Sequence, residues 1–305
     1  MSADRITPAM VTSSTVADLS ASLSSLERST EELSSGRTIL EPSDNPYGAS
    51  RVIDLQSELD GLSAYESDAQ SGVAWEDTAS SAMSSINSSL QRVRELVLQA
   101  ANGTNDQTDL NTIATQIEEL TEGIKQDANA QYAGEYIFSG TLTTTAPYQQ
   151  GEDDEYQGNA ETISRAVGPG ATVTISTNLS TLLGNGVASE DGKLLDTLRT
   201  LVTNLRSGTP EGIAAVGTTD LQSLDANLAT LSELQSAAGS ATDQLQAALA
   251  RNEDLQTSIA EGLSSTEDTN IAATSIAYAN EQAAYSAALR AGATIVQESL
   301  INFLQ

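Results

Sequence analysis

Apolar residues recur every three or four positions over most of this chain, and that spacing predicts a series of long amphipathic helices. Val16, Leu19, Leu23, Leu26, Thr30 and Leu33 form one stripe, which stops at Ser35-Gly36, where glycine suits the residue past a helix end. A second stripe opens with Val52, Leu55, Leu59 and Leu62, weakens at Glu66, and resumes with Ala69 and Val73. It continues through Ala79, Ala82, Ile86, Leu90, Val93 and Val97. Read as one helix from Pro46 to Ala101 it is about 80 Å long at ~1.5 Å per residue, longer than a small globule is wide. The stretch ANGTNDQTD breaks it, and Leu110, Ile113, Ile117, Leu120 and Ile124 mark a shorter helix that the tight loop should turn back antiparallel.

From Tyr136 the period changes. Short runs rich in Thr, Tyr, Val and Ile are bounded by Gly and Pro, and two of them, Thr162–Val167 and Thr172–Ser176, flank the turn Gly168-Pro169-Gly170 as a hairpin would. Residues 135–192 therefore read as a small β-rich insertion. Helical spacing returns at Leu194, Leu195, Leu198, Leu201, Val202 and Leu205, pauses at SGTPEG, and then runs from position 221 to 263 in steps of three and four without a slip. So thin a stripe needs one or two partner helices, and the long N-terminal helix is the element of matching length. After SSTEDTN a last helix carries Tyr278, Gln282, Tyr285, Leu289, Gly292, Val296, Leu300 and Phe303.

The expected fold is mainly α: a long antiparallel helical rod or coiled coil, a small β-rich insertion, and an amphipathic helix at each end. Residues 1–40 and 265–305 are expected to form a terminal coiled-coil segment, 41–134 and 193–264 a rod, and 135–192 the insertion. The two end helices are too short to stand alone in water, so they should pair with each other or with copies from neighbouring molecules.

Composition narrows the function. The 305 residues contain no Cys and no His, which removes disulfides, thiolate metal sites, cysteine nucleophiles and all histidine acid–base chemistry. Thirteen Lys and Arg stand against 42 Asp and Glu, a formal charge of −29 that repels phosphate backbones and anionic lipid, so neither nucleic acid nor membrane is an expected partner. The N-terminal stretch has no apolar core of signal-peptide length, and no segment reaches the length of a membrane span. Export, if it occurs, is expected to leave the N-terminus intact.

The remaining chemistry is thin. GEDDEY at 151–156 is the densest acidic cluster but lacks the alternating spacing of a calcium loop, so no metal and no cofactor is expected. Arg92 and Arg94 read as ion-pair partners, and Trp75 as a residue packed at a helix seam. Ser34, Arg37 and Asp44 could suggest a catalytic loop, but Gly36, Asn45 and Pro46 explain that stretch as a joint: a glycine past one helix, an N-cap, and a proline at the first position of the next.

The same joint, LSSGRTILEPSDNPYGASRVIDLQSEL with Gly48 in its loop, resembles the N-terminal signature of the bacterial flagellin superfamily. RITPAM, RVRELVLQAANGT, GEYIFSGT with APY and YQG after it, and QAAYSAALRAGATIVQESLINFL resemble the hook-associated protein 3 subfamily within it. The resemblance implies a non-enzymatic axial part of the bacterial flagellum, exported by the flagellar type III route and assembled as a ring between hook and filament. Its partners would be further copies of itself, other hook-associated proteins, flagellin and an export chaperone. Val16, Leu19, Leu23, Leu26, Leu33, Tyr278, Tyr285, Leu289, Val296, Leu300 and Phe303 are the candidate assembly interface, with Gly36, Asn45, Pro46 and Gly48 as the interdomain elbow. The alternatives are a flagellin, or an adhesin-like binding module carried by the insertion.

Overall fold

A computed structural model describes residues 8–102, 105–151, 155–186 and 191–303, with the side chains of 8–9 and 295–303 left aside. Its helices are α1 (Pro8–Ser35), α2 (Pro46–Ala101), α3 (Gln107–Ala128), α4 (Ser180–Leu183), α5 (Leu194–Ser207), α6 (Pro210–Ala215), α7 (Leu221–Glu267) and α8 (Ile271–Phe303). A π turn at Val216–Asp220 joins α6 to α7. Among the described residues the strands form two antiparallel ribbons, β1 (Gln131–Tyr132) with β2 (Glu135–Tyr136), and β3 (Ser164–Gly168) with β4 (Ala171–Thr174). The expected architecture of long helices with a small β portion is what the chain adopts. Among the described residues no helix is long and apolar enough to cross a membrane.

The chain divides into two compact units, residues 62–255 and residues 1–61 with 256–305, and α2 and α7 contribute to both. Within 62–255 the two long helices run antiparallel. Ala101 meets Gly217, Arg94 pairs with Asp225 at 2.8 Å, and a Cβ on Gly72 would lie 3.1 Å from Leu245. On α2, Leu62, Ala69, Glu76, Met83, Leu90 and Val97 are buried at intervals of seven, and Gly72, Ala79, Ile86, Val93 and Ala100 form a second buried line beside them. On α7 all thirteen positions of the stripe from 221 to 263 are buried or half-buried. They alternate strictly between the two grades, which is the two-line face of a heptad helix. A third line, from Asp220 at the end of the π turn through Asn227, Leu234, Ala241 and Ala248 of α7, is covered as well. It is shielded because α3, α5 and the insertion supply further neighbours to the same core, which includes Ile117, Ile124, Leu198, Leu205, Phe138 and Tyr148.

Local rules account for the boundaries. Asp106 caps α3 by accepting from Asp109 N at 2.8 Å, while the Asp109 carboxylate accepts from Asp106 N at 3.3 Å. The β1–β2 turn has both central residues, Ala133 and Gly134, at positive φ, as a type I′ hairpin requires. Most of the insertion is not strand, because its Thr, Tyr and Asn side chains bond backbone groups that a sheet would otherwise pair. Asn129 donates to Tyr148 O at 2.6 Å and accepts from Tyr148 N at 3.0 Å; the Tyr148 hydroxyl donates to Gly184 O at 2.8 Å, and that of Tyr156 to Phe138 O at 2.8 Å. The glycines of the SGT and YQG motifs lie against backbone: a Cβ on Gly140 would stand 2.4 Å from Asn159 O, and one on Gly158 2.8 Å from Ser139 O. Trp75 is buried with an edge-on contact to Tyr132, ring centroids 6.2 Å apart.

Candidate functional site

In the unit of residues 1–61 and 256–305, α1 and α8 lie antiparallel. Ser29 Oγ donates to Glu281 at 2.5 Å, and Gly292 sits against Thr15 and Leu19, where a Cβ would come within 3.3 Å of Thr15 Cγ2. The covered positions on α1 are Thr15, Leu19, Ser22, Leu26, Ser29 and Leu33, and on α8 they are Thr274, Tyr278, Glu281, Tyr285, Ala288 and Gly292, two lines at intervals of seven on each helix. Leu19, Leu26 and Leu33 therefore face the intramolecular seam, as do Tyr278 and Tyr285. The other half of the apolar stripe does not: Val16 is 58 % exposed, Leu23 38 % and Leu289 46 %. Small and polar residues one position away, Thr15, Ser22, Ser29 and Ala288, occupy the seam in their place. Ile276 and Ile271 on α8 are also mostly exposed. The side chains of Val296, Leu300 and Phe303 lie outside the described residues.

The elbow is a clasp of polar bonds. Gly36 holds φ +72°, the left-handed geometry that ends α1, and its carbonyl accepts from Thr269 N at 2.9 Å. Thr38 N donates to Glu267 O at 2.6 Å, and the Arg37 guanidinium pairs with the Glu267 carboxylate. Asn45 Oδ1 accepts from Gly48 N at 3.0 Å, capping α2, with Pro46 as its first residue. A side chain at Gly48 would bring Cβ within 2.6 Å of both Ile39 Cδ1 and Asn45 Nδ2. Asp44 accepts from Glu41 N at 3.0 Å and Leu40 N at 3.2 Å and pairs with Arg28 at 3.1 Å. The Glu41 N–H, with those of Leu40 and Arg28, holds this carboxyl below its ordinary value. Asp44 is therefore bound to Arg28, and Arg37 to Glu267, so the loop does not present Ser34, Arg37 and Asp44 as one constellation. Arg92 pairs with Glu95 at 2.8 Å. Residues 152–154 of the acidic cluster lie outside the described residues, and among the described ones no group of three acids could hold a metal ion.

The bacterial flagellin N-terminal helical region matches residues 6–143. That match takes in a little under half of the chain, which is therefore similar over its first part to the bacterial flagellin family. This flagellin-like chain is 29 % identical over 172 residues to flagellar hook-associated protein 3 of Escherichia coli, a match covering 55 % of this chain and 54 % of that protein. It is 37 % identical over 123 residues to phase 1 flagellin of Salmonella naestved, covering 40 % of this chain and 24 % of that one. It thus spans about half or less of the curated relatives it matches. Two solved structures share the fold. A flagellar hook-associated protein from Vibrio parahaemolyticus is covered completely by 74 % of this chain, at a TM-score of 0.66 and 19 % identity. The flagellar junction protein FlgL from Legionella pneumophila is covered to 99 % by 71 % of it, at 0.58 and 15 %.

The period of the terminal stripes could not say which of two adjacent heptad lines turns inward. Thr15, Ser22 and Ser29 are seam residues that carry no apolar signal, and only their interval of seven from one another marks them.

Proposed function

We propose that this protein is a structural subunit of the bacterial flagellum that joins hook to filament, without enzymatic activity. The observation that carries the reading is the match to a hook-associated protein over more than half of that protein's length, against about a quarter for flagellin. The exposed apolar line supports it. Val16, Leu23, Ile276 and Leu289 stand beside a seam already satisfied within the chain, and a ring of copies, together with neighbouring hook-associated proteins and flagellin, would cover them. On this reading the terminal pair is the inner polymerising segment, the long helices the rod and residues 135–192 the outward part. The chain would be exported, accompanied by a chaperone, to an extracellular position on the flagellum.

The test is a null strain. The junction role predicts that hooks still form while flagellin is lost to the medium. Intact attachment with less filament mass would instead support the flagellin reading, which the 37 % identity over 123 residues favours. Complementation with Val16→Asp/Leu289→Asp should give a folded, exported protein that fails to join.

A further inference from the structure

One position in the dry seam of α2 breaks its own pattern. Leu62, Ala69, Met83, Leu90 and Val97 are apolar, yet the residue that completes this line of seven is Glu76, only 1 % exposed. Its Oε2 has no hydrogen-bond partner among the described residues. A buried carboxyl without a partner is disfavoured in either charge state, and native proteins keep few of them. Glu76 lies at one side of a cavity of about 420 Å³ formed by α2, α7 and the β3–β4 hairpin with the segment after it. Thr177 and Gln244 bring oxygen acceptors to the lining, while Leu234, Ala238 and Ala241 make an apolar wall along α7.

The charges around this cavity are few. Asp77 follows Glu76 on α2 and disfavours its ionisation further. On β3, Arg165 packs its Cγ over Gly72, one helical turn before Glu76, and its buried Nε also has no partner; no ion pair links it to Glu76. The residues of the 172–178 segment and of α7 that line the cavity carry no ionisable group. The lining thus holds one acid and no base. A multivalent metal would need several anionic oxygens, and a bare monovalent ion would leave the apolar wall unused in a space many times the ~30 Å³ of a water. An ammonium on an alkyl stem uses both halves: three N–H donors for a carboxylate, a hydroxyl and a carboxamide oxygen, and methylenes for the alanine wall.

We propose that the cavity at Glu76 binds a primary alkylammonium ion, such as one end of a short diamine, with the Glu76 carboxylate as its counter-ion. The −29 chain concentrates cations at its surface and supplies such a ligand locally. Because burial, and then Asp77, push the free carboxyl up to about 8, binding at pH 7 ionises Glu76 and releases its proton. The amine's affinity therefore rises with pH through neutrality and levels off above about 8.

The probe is 1,4-diaminobutane, titrated calorimetrically into the full chain at constant ionic strength, in two pH 7 buffers of different ionisation enthalpy. Saturable one-to-one binding with nearly one proton released per amine is the expected result. Glu76→Gln should weaken binding at least ~10-fold, and Ala238→Leu, which fills the cavity and leaves Glu76 in place, should do the same. Circular dichroism and size-exclusion profiles unchanged from the parent establish that either variant is folded. Non-saturable uptake overturns the proposal, as does binding unaltered by both variants, since the general acidic field then explains it. Equal affinity for 1,4-butanediol also overturns it, because the site would then not require charge. So does absence of binding at millimolar amine, whether Glu76 faces only water or an Arg165 that swings across to pair with it.

Discussion

Two helix pairs in this protein carry the same heptad signature and use it differently. Between 62 and 255, α2 and α7 bury two adjacent lines of residues each, and a third line from Asp220 along α7 to Ala248 is covered too. In the other unit, α1 and α8 cover two lines each, half of their residues Thr, Ser, Ala and Gly, and leave Val16, Leu23 and Leu289 of a third line in solvent. The number of covered lines follows the number of neighbours. With α3, α5 and the insertion around it, α7 covers three, and a helix with one partner covers two. A stripe of apolar residues with one line too many for its intramolecular partner leaves that line exposed, as the proposed assembly surface requires. The same logic appears at the end of the third line on α7, where Leu255 is 42 % exposed at the next interval of seven.

The contrast is broken most forcefully by truncating one residue of each kind. Leu90→Ala removes a fully buried side chain from the core between α2 and its neighbours and should cost about 2–5 kcal/mol, read as a lowered urea midpoint with unchanged slope. Leu23→Ala should cost the monomer less than ~0.5 kcal/mol, as expected for a surface position. Equal losses at the two sites would show that the α1–α8 face is already closed, and the distinction between the pairs would fail.

Glu76 tests whether the α2 seam is as dry as its neighbours imply. Its carboxyl is raised from the ordinary 4.5 to about 8, so it favours the folded state below pH 4.5 and that advantage disappears as pH climbs through 8. The ceiling on this effect is about 5 kcal/mol, at ~1.4 kcal/mol per pH unit, and solvent in the cavity should reduce it to about half. Many other carboxyls titrate in the same chain, so the informative quantity is the stability of the parent minus that of Glu76→Gln. That difference should fall between pH 4.5 and 8 and stay flat above. A flat difference across the whole range would mean the carboxyl is solvated.

Much of this organisation could be read from periodicity alone. Every position of the α7 stripe from 221 to 263 is covered, and the breaks at Gly36, after Ala101 and before Ile271 separate the helices. What periodicity misses is physical. An apolar residue in a heptad line says that something covers it, not whether that something is in the same chain, so the sequence left open whether Val16 and Leu23 face α8 or a neighbouring copy, and could not mark Thr15 and Ser22, which fill the α8 seam. Following apolar residues from Val73 to Ala79 passes over Glu76, whose place in the line is set by spacing and not by hydrophobicity. The insertion's Thr and Tyr residues suggest strands, yet side-chain bonds such as Asn129 to Tyr148 replace ladder bonds and leave only two short ribbons. The π turn at Val216–Asp220 has no sequence mark beyond a buried Asp220 that accepts from Asn204 at 2.7 Å.

The smallest expected effect sharpens the comparison at the elbow, where the unit with the thin seam depends on polar bonds more than on burial. Asn45 is exposed, so a change in stability on altering its side chain reports chiefly the cap. Asn45→Ala removes the acceptor for Gly48 N and should cost about 1 kcal/mol, whereas Asn45→Asp keeps an oxygen in place, adds a negative charge at the helix N-terminus and should cost almost nothing. The same pair of substitutions at Asp106, which caps α3 above the thick core, gives the matched control: Asp106→Ala should cost about as much and Asp106→Asn little. Hydrogen exchange of the Gly48 and Asp109 amides then separates the two regions. Loss of the cap should raise exchange at Gly48 beyond what the change in global stability explains, because few apolar contacts hold the first turn of α2, while at Asp109 the core that buries Leu110 and Ile113 should limit the increase. Similar protection losses at the two amides would mean that the elbow is anchored by packing after all, through Ile39 against Gly48, and that the polar clasp is secondary.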